Sequence, residues 1–238
     1  MKLWQKGAAA HEKVDTFTVG KDREYDLVLA QYDCEASKAH AKMLGAIGLI
    51  TPNEVKQLCN VLETLKTDAK NGSFTIEDEF EDMHSKIEYI LTEELGDLGK
   101  KIHTARSRND QVLVAMHLYL KQELTEIKTL VIALFDLLLE LAEKHQNDLI
   151  PGYTHLQVAM PSSIGMWLSA YAESLVDDLY FLEAAFKIAD QNPLGSAAGF
   201  GSAFPIDREL TTNLMAFKQL KVNAVAAQMS RGKLEKST

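Results

Sequence analysis

Apolar residues recur along most of this chain at the three- and four-residue intervals of helices. Between about residues 24 and 44, Leu27, Val28, Tyr32, Ala36, Ala39 and Met43 follow that spacing and predict a first helix. Gly45 and Gly48 loosen its end. Thr51-Pro52-Asn53-Glu54 then reads as a helix start, with Thr51 as N-cap, Pro52 at the first helical position and Glu54 closing a capping box. That helix runs to about Lys70 and breaks at Asn71-Gly72-Ser73. A third is expected from near Asp82 to near Gly96. Residues 1–20 read as irregular and polar.

From Ala105 to Ile150 there is neither Gly nor Pro, and Ile127, Leu130, Val131, Leu134, Leu137, Leu138 and Leu141 form one apolar face. A helix of about 40 residues is roughly 60 Å long at 1.5 Å per residue, so it needs long neighbours and implies a bundle. The chain is expected to turn at Ile150-Pro151-Gly152. Pro161 is expected to open a second long helix carrying Trp167, Tyr171, Leu175, Leu179, Leu182 and Phe186, ending before Pro193 and packing antiparallel to the first. After the loop 194–202, Pro205 and Asp207 are expected to begin a helix running through Leu220 and beyond Val225. No strand pattern, internal repeat or low-complexity tract is apparent. The expected class is all-α: a small N-terminal helical domain over 1–104, then part of a long-helix bundle over 105–238. Apolar bundle faces remain to be covered, by further chain or by partner chains.

Composition narrows the function classes. The chain has 238 residues, 46% hydrophobic and 25% charged, an ordinary globular mixture. A net charge of −9 gives no electrostatic support to nucleic-acid binding, although a local basic pocket still suits an anionic ligand. The most apolar stretch, Leu130 to Leu141, contains Asp136 and Glu140 and is too short for a membrane span. Cys34 and Cys59 lack metal-ligand spacing and suit a reducing compartment. With no signal-like run at the N-terminus, the expected location is cytoplasmic.

Four clusters carry candidate chemistry. Lys100 to Gln111 places two arginines, Arg106 and Arg108, with Ser107 and Asn109 just before the longest helix, where unpaired backbone N–H groups favour anions. Arg can grip a carboxylate through two parallel bonds, and Asn both donates and accepts. A helix cap with surface charges is the plainer alternative. Pro151 to Gln157 places Thr154 and His155 on a turn, where an imidazole can serve as general acid or base, or simply be solvated. Glu77 to His84 is acidic and can be a solvated face or a favourable charge at a helix start. The loop 195–201 is Gly-rich but lacks the Lys-Ser/Thr ending of a P-loop, so it approaches a ligand or merely connects helices.

Taken together, these strings resemble the argininosuccinate lyases of the fumarase/aspartase superfamily. Lys2-Leu3-Trp4 is similar to their KLW start, and Glu81-Asp82-Met83-His84 to their ED-x-H motif. His103 to Val112 resembles HTGRSRNDQV, with Ala105 in place of Gly. Pro151 to Gln157 resembles PGYTHLQ, Pro193 to Gly199 resembles PLGSGA, and Pro205 to Arg208 resembles the following (P/V)(I/L)DR. The match runs from residue 2 to the end, in family order.

The resemblance implies an all-α enzyme that splits argininosuccinate into arginine and fumarate by β-elimination, with no metal or organic cofactor. It assigns substrate contacts to Ser107, Arg108, Asn109 and Thr154, an acid/base role to His155 and an active-site-lining place to His84. It implies a homotetramer whose active sites draw on several subunits, with no nucleic-acid or membrane partner. The family's base, a serine in a GSSxMPxKxNP loop, has no counterpart here, since Met160-Pro161 lacks the following Lys and Asn. The chain corresponds to about half of a family member, so turnover by these residues alone is not expected. Phe17 to Arg23 offers no counterpart of the family's N-terminal substrate-binding serine. The alternatives are another succinyl-compound lyase, such as an adenylosuccinate lyase, and a non-catalytic helical relative with a structural role.

Overall fold

The computed structural model describes residue 17 and residues 19–238. The KLW-like start and the expected irregular stretch up to residue 16 lie outside the described residues. The described residues cluster into two compact units, those up to 119 with 190–235, and residues 120–189 with 236–238. The first therefore reaches past the 1–104 segment expected from sequence and recruits the C-terminal stretch.

The first unit is built on α1 (Asp22–Ala46), α2 (Pro52–Asn71), α3 (Met83–Leu95) and the short α4 (Asp97–Lys101). The capping box opening α2 forms as expected: the Glu54 amide donates to Thr51 Oγ1 at 3.3 Å, and the Thr51 amide donates to Glu54 Oε2 at 2.7 Å. Gly72 closes the helix at φ 75°, a left-handed conformation that glycine adopts without penalty. Leu58, Leu62 and Leu65 bury one face of α2 against Leu29, Met43 and Leu44 of α1 and Met83, Ile87 and Leu91 of α3. Each fully buried side chain of this size contributes about 2 kcal/mol. On α1 the buried face differs from that read from the pattern: Leu27 and Val28 are exposed, and Leu29, Ala30, Tyr32, Ala36 and Ala39 face the core. Packing, not local hydrophobicity, chose between adjacent apolar residues.

The longest helix, α5, spans Arg108–Lys144. It starts three residues inside the Gly- and Pro-free window because Ala105 sits at φ 60° and bends the chain ahead of it. Its first turns bury Leu113, Val114 and Ala115 within the first unit.

In the second unit the chain leaves α5 into a hairpin, β1 (Leu149–Thr154) and β2 (Gln157–Ser163), which corrects the expectation of no strands. The strands pair antiparallel, with Leu149 opposite Ser163 and Thr154 opposite Gln157, and the register shifts at Gly152/Tyr153. Pro161 lies inside β2, opposite Pro151, instead of opening a helix. The direction reverses at His155-Leu156, not at Ile150–Gly152. The pattern was silent because most of the hairpin is exposed, so neither face requires an alternating apolar set.

Helix α6 (Ile164–Ala189) returns alongside α5. A Cβ at Gly165 would fall 2.5 Å from the Ala142 carbonyl oxygen, so only glycine permits this approach. Further along, a groove of about 420 Å³ opens between Thr125 and Lys128 of α5 and Leu179, Leu182 and Phe186 of α6. Leu130, Met166 and Phe181 are among the large apolar side chains these helices leave exposed.

The C-terminal stretch corrects a second expectation. In place of one helix from Pro205 past Val225 there are α7 (Arg208–Leu214), α8 (Ala224–Gln228) and α9 (Lys233–Ser237), with two-residue strands β3 (Gln191–Asn192) and β4 (Gln219–Leu220) paired in parallel. Asp207 does cap α7, accepting from the Leu210 amide at 2.8 Å. The helix stops because Ala216 turns to φ 54° and drives Phe217 into a small core with Val114, Leu194 and Met215.

The left-handed backbone at Ala105 costs a residue with a Cβ about 1–2 kcal/mol, part of which glycine would return as chain entropy. Ala105→Gly is expected to raise the unfolding free energy by roughly 0.5–1 kcal/mol, read as a higher urea midpoint at unchanged slope.

Candidate active site

The start of α5 is built from Ser107 to Asp110. Ser107 caps the helix: its hydroxyl accepts from the Asn109 amide at 3.3 Å, and its own amide donates to Asp110 Oδ1 at 2.9 Å. Asp110 is fully buried, and its other oxygen accepts from the amides of Gly195 and Ala197 at 2.9 and 3.0 Å. One carboxylate therefore joins the corner before α5 to the Gly-rich loop some 85 residues later.

The loop is clasped from its other side. Arg208 Nε donates to the Leu194 carbonyl at 2.8 Å, and a Cβ on Gly195 would lie 2.7 Å from Arg208 Cγ. Gln228 donates to Ser196 Oγ and to the Ala197 carbonyl. The backbone of this loop closes on Asp110 and acts as a connector that fixes the corner.

That corner borders a cavity of about 400 Å³ whose wall includes Asp26, Asp82, His84, Arg108, Asn109 and Arg231. Three of the residues singled out from sequence, His84, Arg108 and Asn109, thus share one cavity, and Ser107 caps the helix beside them. Arg108 Nη1 lies 3.2 Å from Glu81 Oε2 and 3.1 Å from Asp82 Oδ2. Asp82 in turn caps α3, accepting from the Ser85 amide at 2.8 Å. Arg231 donates to the carbonyl and to the side-chain oxygen of Asn109, at 3.1 and 3.2 Å. Arg108 and Arg231 share the wall with the Asp26 and Asp82 carboxylates, Arg108 paired directly to Asp82, so the lining offers both signs of charge to a ligand.

Behind His84 lies a small chamber lined by Asp33, His103, Arg106 and Gln111 as well as His84 itself. Asp33 Oδ1 is 3.2 Å from His84 Nδ1, and both residues are buried. Burial alone would push the Asp33 carboxyl up. The facing His84 and the half-buried Arg106 outweigh it and hold the group below its ordinary value. For His84 burial works downward, and Asp33 outweighs it, aided by Asp82 and Asp26, so the imidazole is held above its ordinary value. Arg106 donates to Ser37 Oγ at 2.8 Å. His40, by contrast, is buried beside Arg106 with its Nε2 at the Thr104 carbonyl, and is driven down to about 3.

Thr154 and His155 are placed in the second unit, exposed at the hairpin tip. His155 and Leu156 occupy φ 49° and 61°, the two left-handed positions of a tight hairpin turn usually filled by Asn and Gly. Backbone strain of this kind costs of order 1–3 kcal/mol per residue and is typical of sites where a side chain must be presented.

Reading the sequence missed Asp110, Asp33 and Arg231, and it counted Arg106 with Arg108 as a carboxylate holder, whereas Arg106 faces Asp33 and Ser37. Asp110 had a signal, since Ser-x-x-Asp is a capping pattern. Asp33 had one too, as a carboxylate on the apolar face of α1. Nothing local marks Arg231, which acquires its role by reaching Asn109 across 122 positions. Among the described residues, no group of three or more His, Cys, Asp or Glu is arranged to hold a metal ion, and no helix is long and apolar enough to cross a membrane.

A family model described as Lyase matches residues 10–235. The argininosuccinate lyase of Phocaeicola vulgatus is 53% identical over 99% of this chain and 53% of its own length. That of Xylella fastidiosa is 45% identical over 98% and 53%. The chain thus spans about half the length of the curated relatives it matches. Among solved structures, an EDDS lyase variant with bound fumarate superposes with a TM-score of 0.77 at 25% identity, over 97% of this chain and 45% of that one. A fumarate lyase:delta crystallin from Brucella melitensis shares the fold at 15% identity, with a TM-score of 0.71 over 87% of this chain and 50% of that one.

Asp110→Asn would turn an amide N–H₂ towards backbone donors that now meet a carboxylate. It is expected to cost about 3 kcal/mol of stability and to speed hydrogen exchange at the Gly195 and Ala197 amides. The Asp33–His84 pair predicts a pH window. The His84 contribution is present below its ordinary value of 6.5 and lost as pH rises through the higher folded value. The Asp33 contribution is present above 3.8 and lost as pH falls through its lower folded value. Relative to His84→Gln, stability measured in urea is therefore expected to peak between pH 3.8 and 6.5 and to shrink on both sides.

Proposed function

We propose, from the premise that the chain belongs to the lyase family, that it is the N-terminal half of an argininosuccinate lyase, which cleaves argininosuccinate to arginine and fumarate in arginine biosynthesis. The observation that carries this reading is the cavity where His84, Arg108, Asn109 and Arg231 meet at the start of a 37-residue helix. The 53% identity to a named argininosuccinate lyase supports the choice of substrate.

The chemistry is a β-elimination. A base removes a proton from the succinyl carbon next to the one bearing nitrogen. The electron pair is held by the adjacent carboxylate, and collapse expels the arginine guanidino nitrogen to leave fumarate. Charge grows on that carboxylate as the proton departs, so donors fixed around it lower the barrier most. Arg108 and Asn109 serve as those donors, with Ser107 holding the helix start and contributing its own contact. His84 lines the site. Thr154 binds substrate and His155 acts in proton transfer, both entering from neighbouring copies in a homotetramer. The base-bearing serine loop lies outside these 238 residues. Cys34 and Cys59, both free, suit a cytoplasmic location.

The exposed apolar faces of α5 and α6 suit burial between copies, and sedimentation of the full-length protein is expected to give a tetramer. Fumarate absorbance on adding argininosuccinate is expected from the full-length polypeptide and not from residues 1–238 alone; adenylosuccinate should give none. Absence of fumarate from the full-length protein would reject the reading. Arg108→Lys keeps the charge and loses the forked grip, and is expected to lower kcat/KM by about 100-fold. A urea midpoint separates that loss from any loosening of the contact with Glu81 and Asp82.

A further inference from the structure

The chamber behind His84 is the least explained place in the first unit. Beyond the 3.2 Å contact between Asp33 Oδ1 and His84 Nδ1, four buried polar atoms of its lining meet no hydrogen-bond partner: Asp33 Oδ2, His84 Nε2, Arg106 Nε and Gln111 Oε1. Leaving a buried polar group unsatisfied costs about 1–3 kcal/mol each, and more for a charge. So many together, in a fold otherwise well bonded, mark a place where stability yields to function.

His84 is the member that belongs to two places. It lines the chamber with Asp33 and also the 400 Å³ cavity with Arg108 and Asn109, whereas Asp33 lines only the chamber. Its Nδ1 meets Asp33 at 3.2 Å, and its Nε2 is buried with no partner among the described residues. We propose that Asp33 is a positioning residue: its carboxylate holds the imidazole through Nδ1, so that Nε2–H stands as a charged donor to a carboxylate of the ligand, beside Arg108. This deepens the argininosuccinate lyase reading and rests on it.

The surroundings make Asp33 necessary. His84 is the second residue of α3, where the positive end of the helix dipole disfavours a cation. Burial disfavours it as well. Of the charged and titratable groups that line the two cavities with the ring, Asp22, Asp26 and Asp33 come from α1, Asp82 and Glu88 from α3 and its cap, His103 and Arg106 from the segment entering α5, Arg108 from its first position and Arg231 from the C-terminal stretch. Asp26 is already engaged by the Met83 amide at 2.9 Å, and Asp82 by the Ser85 amide and by Arg108. Asp33 is the carboxylate left for the ring. Arg106, anchored on Ser37, keeps Asp33 ionised from behind.

The test is nitrogen-15 NMR of the His84 ring in the full-length protein, titrated with and without fumarate, for the unmutated protein and for Asp33→Asn. In the unmutated protein the ring is expected to be protonated on both nitrogens at pH 6.5, to move on adding fumarate, and to lose its proton at a higher pH when fumarate is bound. Fumarate affinity is expected to fall about tenfold between pH 6 and 9. In Asp33→Asn the ring is expected to be neutral at pH 6.5, with fumarate bound about tenfold more weakly at pH 6 and the His84-dependent fall with pH gone. A ring already neutral at pH 6.5 in the unmutated protein overturns the proposal without any variant, as does a titration unchanged by Asp33→Asn. Should Asp33→Asn not fold, Asp33→Glu keeps the charge and displaces it, and an unmoved ring titration there overturns the proposal equally. If neither fumarate nor argininosuccinate shifts the ring, the anion-holding role is overturned; the lyase reading then stands or falls separately, on whether the same full-length protein forms fumarate from argininosuccinate.

Discussion

A single buried carboxylate holds the site together. Asp110 takes three backbone N–H bonds, one from the corner before its own helix and two from a loop some 85 residues later in the chain. A buried anion is tolerated only when its oxygens are fully engaged, and here the partners are rigid backbone groups. The consequence is positional. The Ser107–Asn109 corner cannot shift without breaking the loop, and the loop is clasped in turn by Arg208 and Gln228. Arg108 and Asn109 thereby project from a fixed frame, as pre-organised donors require.

Charge is arranged in two layers around that frame. The cavity wall sets Arg108 and Arg231 against Asp26 and Asp82, and most of these groups are tied to one another or to helix ends. Behind the wall, the buried Asp33 and the half-buried Arg106 line the chamber that His84 shares with the cavity. Buried ion pairs contribute little net stability once desolvation is counted. Their placement here makes sense as control of what His84 presents to a ligand.

The second unit follows a different logic. Its helices leave large apolar side chains in water, and its hairpin places His155 and Leu156 in left-handed conformations that neither residue favours. The first feature suits burial against other chains. The second places an exposed imidazole at the tip of the hairpin.

Local sequence determined the helices and their ends wherever the cause was local. Thr51-Pro52-Asn53-Glu54 specified its own cap, Asp82 and Asp207 specified theirs, and the Ser107–Asp110 string marked the start of the longest helix. The motif strings were enough to place the chain in its family and to nominate His84, Arg108 and Asn109. Tertiary structure decided what depended on distant partners. The hairpin carries no burial pattern, and the helix expected past Pro205 gave way because Phe217 found a core that no local window contains. Asp33, Asp110 and Arg231 acquired meaning only when residues 51, 85 and 122 positions away came to meet them. A cap is read from four adjacent residues; a charge placed behind an imidazole exists only after the chain has folded back on itself.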